Sequence, residues 1–129
     1  MIIERPIDIE AEIQTALSPY VTIYAPPLPK TYTLPNLLVQ MVGGDTSDHI
    51  DTIDVVIDSR AETASASLEL LRNAIGILRK VCDEQTSALR YVFVNSLGSW
   101  GQDPVRPDLF MSSCRLRIVV HPEQAEIGE

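Results

Sequence analysis

Cysteine is nearly absent from this chain. The two present, Cys82 and Cys114, cannot form a disulfide framework or a complete cysteine-based zinc site. Aromatic residues make up only 5 % of the sequence, which leaves few platforms for stacked bases. Histidine occurs twice, as His49 and His121. No nucleophile elbow, dinucleotide fingerprint or P-loop accompanies them, so serine-triad catalysis and phosphate cradling lack their sequence context. No apolar run approaches the ~18 residues of a membrane span, and Met1–Pro6 opens with charges, not with a signal-peptide pattern. No membrane partner is expected. Positive charge is also in short supply. Ten Lys and Arg face 18 Asp and Glu, for a net charge of −8, which argues against tight wrapping of a phosphate backbone.

What is there reads as one folded unit over residues 1–129. The chain is 45 % hydrophobic and 22 % charged, a balance that excludes wholesale disorder. The charge is lopsided. Residues 1–65 hold ten carboxylates and three cations, whereas residues 66–129 hold eight and seven. Such opposed halves suit head-to-tail self-association, with a basic strip on one copy meeting an acidic surface on the next.

Periodicity predicts a first helix over residues 6–17. Pro6 fits its first position, Asp8, Glu10 and Glu12 suit its positive end, and Ile9, Ile13, Ala16 and Leu17 form one stripe. Strands are expected at Tyr20–Ala25, at Leu37–Val42 (stopped by Gly43–Gly44) and at about Thr52–Asp58, the last two joined by a polar loop, Asp45–Asp51. A long helix follows over Glu62–Cys82 with a wide apolar face, Arg79 and Lys80 in its last turn, and Gly76 reserved for close packing on a neighbouring backbone. Leu89–Ser96 and Arg115–His121 alternate as strands around a long loop, Leu97–Ser113, and Glu123–Glu129 reads as a fraying acidic tail. The expected class is α+β, a mainly antiparallel β-sheet with helices packed on one face, in the order α-β-β-β-α-β-β.

Few residues carry chemistry. Asp45, Asp48, His49 and Asp51 offer oxygen and imidazole donors, but their spacing matches neither an EF-hand nor a zinc motif, and an ordinary solvated turn is the favoured reading. Cys82 falls in the helical stripe and behaves as a small hydrophobe. Arg90, Arg106, Arg115 and Arg117 come together if the last two strands pair, giving a basic strip fit for an acidic neighbour. Trp100, the sole tryptophan, either folds back on the core or anchors an interface. No catalytic set, metal or cofactor is expected. The candidate interface residues are Asp45, Asp48, His49, Asp51, Trp100, Arg106, Arg115 and Arg117.

One stretch has a familiar order. Val39-Gln-Met-Val-Gly-Gly44, then Asp48-His-Ile-Asp51, then Ile53 to Ala64 and a long helix resemble the tail terminator (tail completion, or head–tail joining) proteins of long-tailed bacteriophages. A final basic-apolar strand, Arg115–Val120, with a short Pro-Glu tail fits as well. The resemblance implies a structural virion protein without enzymatic activity, assembled in the host cytoplasm and located at the head–tail junction. It implies a homohexameric ring that caps the tail tube protein, stops tube polymerisation and meets a neck or stopper protein. DNA would pass through the lumen without sequence-specific contact, and an acidic lumen lets a polyanion slide. The same reading leaves another neck ring or a minor tail protein as neighbours in class. A small α+β enzyme or ligand-binding module is the alternative of a different class.

Overall fold

Along residues 53–58, Ile53, Val55 and Ile57 are buried while Asp54, Val56 and Asp58 are only half-buried. That two-residue alternation is the signature of a strand with one covered face. The computed structural model, which describes residues 1–47 and 50–128 with the side chains of Ser99 and Trp100 outside that description, builds the fold around it. The elements are β1 (Ile2–Arg5), α1 (Ile9–Leu17), β2 (Thr22–Tyr24), β3 (Asn36–Ser47), β4 (Ile50–Ala61), α2 (Ala64–Glu84), β5 (Leu89–Gln102), β6 (Phe110–Val120) and β7 (Glu123–Glu126). Five strands make one sheet in the order β2-β3-β4-β6-β5, antiparallel except for the β2–β3 pair. The α+β class, the antiparallel sheet and the α-β-β-β-α-β-β order are as expected, with β1 and β7 added as a separate antiparallel ribbon.

Both helices cover the same sheet face. Leu71, Ala74, Ile75, Leu78 and Cys82 of α2 and Ile9, Ile13 and Leu17 of α1 join Val39, Val55, Ile57, Leu116 and Ile118 in one core cluster. The start of α2 is pinned by polar contacts. Thr63 caps it by accepting from the Ala66 N–H at 3.1 Å, the arrangement that satisfies a free N-terminal donor. Just inside, the buried Ser59 Oγ donates to the Ser67 carbonyl at 2.6 Å, and the Ser67 and Ser112 hydroxyls share a hydrogen bond of 2.8 Å. Cys82 and Cys114 are free and buried, and burial pushes the Cys114 thiol up to about 12. Both thus behave as core hydrophobes.

Several boundaries differ from the sequence reading, each for a local reason. Helix α1 begins at Ile9, not at Pro6, because the Asp8 side chain caps it by accepting from the Ala11 N–H. The strand expected over Tyr20–Ala25 shrinks to Thr22–Tyr24, and the Leu17 carbonyl still accepts from the Tyr20 and Val21 N–H groups. Gly43–Gly44 does not stop β3, which passes through a register shift between Met41 and Gly43 and runs on to Ser47. Glycine is the residue that accommodates such a bulge. The polar loop Asp45–Asp51 is therefore mostly hairpin, although Asp48 and His49 lie outside the described residues. Helix α2 continues one turn past Arg79 and Lys80, ending where Gln85 adopts a left-handed conformation at φ 55°. The loop over Leu97–Ser113 becomes the two strands of the β5–β6 hairpin, joined by residues 103–109. The supposed tail pairs with the chain start, Ile2 opposite Glu126, so residues 123–126 form β7 and do not fray.

Two glycines test this account. Gly44 sits at φ +149°, and an added Cβ would lie 2.5 Å from the Thr52 carbonyl oxygen. Gly44→Ala should lower the unfolding free energy by about 1–3 kcal/mol in urea titration. Gly43→Ala, whose Cβ would meet nothing nearer than Asp54 Oδ2 at 3.9 Å, should leave it nearly unchanged. Gly76 is exposed, and no atom lies within 4 Å of its would-be Cβ, so the expected close packing does not occur. Gly76→Ala should stabilise the chain by about 1 kcal/mol through helix propensity, read as a higher urea midpoint.

Candidate assembly interface

Because α1 and α2 lie on one side, the other face of the sheet is left without a layer. On β6, the buried Cys114, Leu116 and Ile118 alternate with Ser113, Arg115, Arg117 and Val119 on that open face. Arg117 forks onto Asp54 across the strand pair, Nε to Oδ1 at 2.9 Å and Nη2 to Oδ2 at 3.3 Å. The hydrogen bond from Arg117 leads the effects that hold the Asp54 carboxyl below the usual carboxylate range. Ser113 Oγ donates to Asp58 Oδ1 at 2.5 Å. Arg115, in register with Val56 and Ser96, has no hydrogen-bond or ion-pair partner among the described residues.

The apolar part of this face sits at its edge. Tyr91 and Phe93, two residues apart on β5, hold their rings 4.5 Å apart at a 52° tilt. They remain 56 % and 49 % exposed, opposite Val119 and Arg117. A tilted aromatic pair left in water is a ready contact for another surface. The alternation in Leu89–Ser96 puts Tyr91 and Phe93 on one face with Leu89 and singles out neither as a contact, whereas Leu89 is buried and both rings are exposed; yet a signal was present. From Tyr91 to Gln102 there is no charged side chain, in a chain that is 22 % charged. Edge strands are normally blunted with charge, and β5 is an edge strand.

Just beyond the far end of β5, Asp103 gathers several donors. Asp103 Oδ1 accepts from the backbone N–H groups of Val105 and Arg106, while Arg60 Nε donates to Asp103 Oδ2 at 3.0 Å. The pair is almost wholly buried, with Arg60 and Asp103 side chains 10 % and 4 % exposed. Burial raises the Asp103 carboxyl pKa, but the two N–H groups and Arg60 outweigh it and the net direction is down.

The residues singled out from the sequence scatter over these regions. Arg115 and Arg117 do share a face, but the four-arginine strip does not form. Arg106 is bound to Asp108 at the hairpin turn, Nη2 to Oδ2 at 2.8 Å, and Arg90 donates to the carbonyls of Ser87 and Leu89. Asp45 is exposed on β3, and Asp51 is buried at the start of β4. Trp100 pairs through its backbone with Ser112 inside β5, not in a loop, and its side chain lies outside the description. Among the described residues no group of three His, Cys, Asp or Glu side chains gathers as a metal site, and no helix is long and apolar enough to cross a membrane. Two of the concavities on the surface bear on the candidate sites. A groove of about 400 Å³ runs between Tyr20, Val21 and the Leu70, Asn73 and Ile77 side of α2. A smaller cleft of about 190 Å³ is lined by Glu4, Arg5, Pro6, Thr46, Ser47, Asp51 and Pro122.

Compared with known protein families and with curated proteins, the chain matches none.

The buried Arg60–Asp103 pair yields a test. A depressed carboxyl pKa contributes stability that is complete above the ordinary carboxylate value of about 3.9 and is lost as pH falls through the lower folded value. Asp103→Ala leaves Arg60 buried without a partner and should cost about 3–5 kcal/mol at pH 7. In urea titrations repeated from pH 7 to pH 2, the variant should also show a smaller acid-induced loss than the parent.

Proposed function

We propose that this chain is a structural subunit of a phage tail, a tail terminator that forms a hexameric ring on the tail tube. The observation that carries the reading is the helix-free sheet face, bounded by edge strand β5, free of charged side chains over residues 91–102, and its exposed Tyr91–Phe93 pair. A face with fixed charges in the middle and aromatic rings at the rim is suited to mating with another protein surface. The order of hairpin, acidic turn, long helix and basic-apolar strand supports the same reading through its resemblance to tail terminators. The net charge of −8 suits a ring through which DNA slides without being held.

In this role the chain stops polymerisation of the tail tube protein and presents its opposite rim to a neck or stopper protein at the head–tail junction. It has no bond to make or break. A second reading, a ligand-binding module, draws on one observation, the mainly apolar groove beside Tyr20 and Ile77.

The experiment is to add the purified chain to polymerising tail tubes and image the products. Rings at tube ends and an arrested tube length are expected. Phe93→Ser should weaken capping about tenfold or more while leaving the melting temperature of the isolated chain within a few degrees, since Phe93 is 49 % exposed. Tubes that elongate unchanged, together with virions that lack the chain, would overturn the reading. A bound small molecule in the groove, detected by native mass spectrometry, would favour the second.

A further inference from the structure

The ribbon of β1 and β7 lacks what such ribbons need. Two strands alone are marginal in water, and they hold when a further strand or a helix covers an apolar face. This pair is a sheet of its own. Among the described residues, the core cluster and the half-buried side chains packed on it take nothing from either strand. Ile3 lies opposite Ala125. The Ile127 N–H donates to the Met1 carbonyl at 2.9 Å, which carries the pairing on to Met1 and Ile127. Strand alternation then places Met1, Ile3, Ala125 and Ile127 on one face, with Met1 66 % and Ile127 42 % exposed. Ile2, Glu4 and Glu126 stand on the other face, and Arg5 is tied to Glu123 at 3.2 Å. The ribbon therefore offers an apolar strip on an acidic arm, with Glu4, Glu123 and Glu126 against Arg5.

A helix with an uncovered apolar flank lies elsewhere on the chain. The groove of about 400 Å³ is lined by Tyr20 and Val21 and by Leu70, Ala74, Ile77 and Lys80 of α2. Gly76 forms part of its wall, and nothing stands within 4 Å of a Cβ placed there. From Leu70 to Cys82 the helix carries Arg72, Arg79 and Lys80 and no carboxylate. We propose that this groove receives the apolar face of the β1–β7 ribbon of a second copy of the chain. Docking there gives the ribbon the helix that a two-stranded unit needs. The signs of charge also match, since an acidic arm meets a stretch of α2 whose only charges are positive. Within one copy no ribbon residue lines the groove among the described residues. Helix α1, nine residues and so about 13 Å long, lies between the end of β1 and Tyr20. Ribbon and groove are different patches, so the contact is heterologous, and repeated around a closing rotation it gives a ring. The inference rests on the ring reading and names the contact that would join its copies, with the open sheet face left for the tube.

The test uses the full chain, the variants Gly76→Leu and Ile127→Ser, and their double. Sedimentation equilibrium reads self-association up to millimolar concentration, and thermal melting reads the isolated chain. Gly76→Leu fills the groove from its wall, and Ile127→Ser removes an apolar side chain from the ribbon. Each should weaken association about tenfold or more, and the double should lose about as much as the more damaging single. Gly76→Leu should at the same time hold or raise the melting temperature, because leucine is the better helix former and its Cβ meets open space. A lowered melting temperature would mean that the groove is closed in the single chain, and the contact would be overturned. Association weakened by Ile127→Ser but untouched by Gly76→Leu would place the ribbon elsewhere and overturn it as well. So would a small molecule retained in the groove, seen by native mass spectrometry, while Gly76→Leu associates like the parent. Losses that multiply in the double variant count against a shared contact and overturn it too. A parent chain that stays monomeric overturns the contact even where it caps tube ends, so the contact can fail while the terminator reading stands. Coupled losses in a chain absent from virions would sustain the contact and sink the terminator reading.

Discussion

The paired central strands β4 and β6 impose sidedness on the whole molecule. Each alternates a buried and a wetter residue over most of its length, so one face must be covered and the other need not be. Two helices suffice for the first face. Their apolar stripes, Ile9 to Leu17 and Leu71 to Cys82, are spent on that side, and nothing of comparable size remains for the other. The free face is therefore a consequence of counting layers, and the proposed assembly role is built on that consequence.

Charge refines the picture. On the open face most ionised groups are already occupied within the chain: Arg117 forks onto Asp54, and Asp58 accepts from Ser113. Such intramolecular pairs hold side chains in place and lower the entropy lost when a partner docks. At the hairpin end, the buried Arg60–Asp103 pair and the Asx-type contacts to Val105 and Arg106 make an ordered turn of a segment rich in proline. Against this satisfied background, the exposed Tyr91–Phe93 rim stands out as a feature unfinished in the single chain. Natural edge strands carry devices against pairing, and the register shifts along β5 are one such device. Over residues 91–102 the missing device is charge, which is what an edge covered on assembly can do without.

Much of this was legible in the order of residues. The stripes of both helices, the alternation in Arg115–His121 and the burial of Cys82 followed from period alone, because a side chain's direction repeats every 3.6 residues in a helix and every two in a strand. Boundaries were less legible. Gly43–Gly44 resembles a stop, yet a bulge absorbs it once β4 lies alongside. Leu97–Ser113 resembles a loop, because the cross-strand partners that make it a hairpin belong to β6. The pairing of residues 2–5 with 123–126 joins the two ends of the sequence, and no local pattern announces it.

The candidate site divides along the same line. Composition by itself determined an acidic chain, poor in catalytic and stacking groups and in charge along residues 91–102. Only the tertiary structure decided that Arg117 finds Asp54 while Arg106 finds Asp108, and that Asp51 is enclosed with an oxygen unanswered. The physical reason is that periodicity is a property of neighbours in sequence, whereas charge pairing and burial depend on which distant strands come to lie side by side.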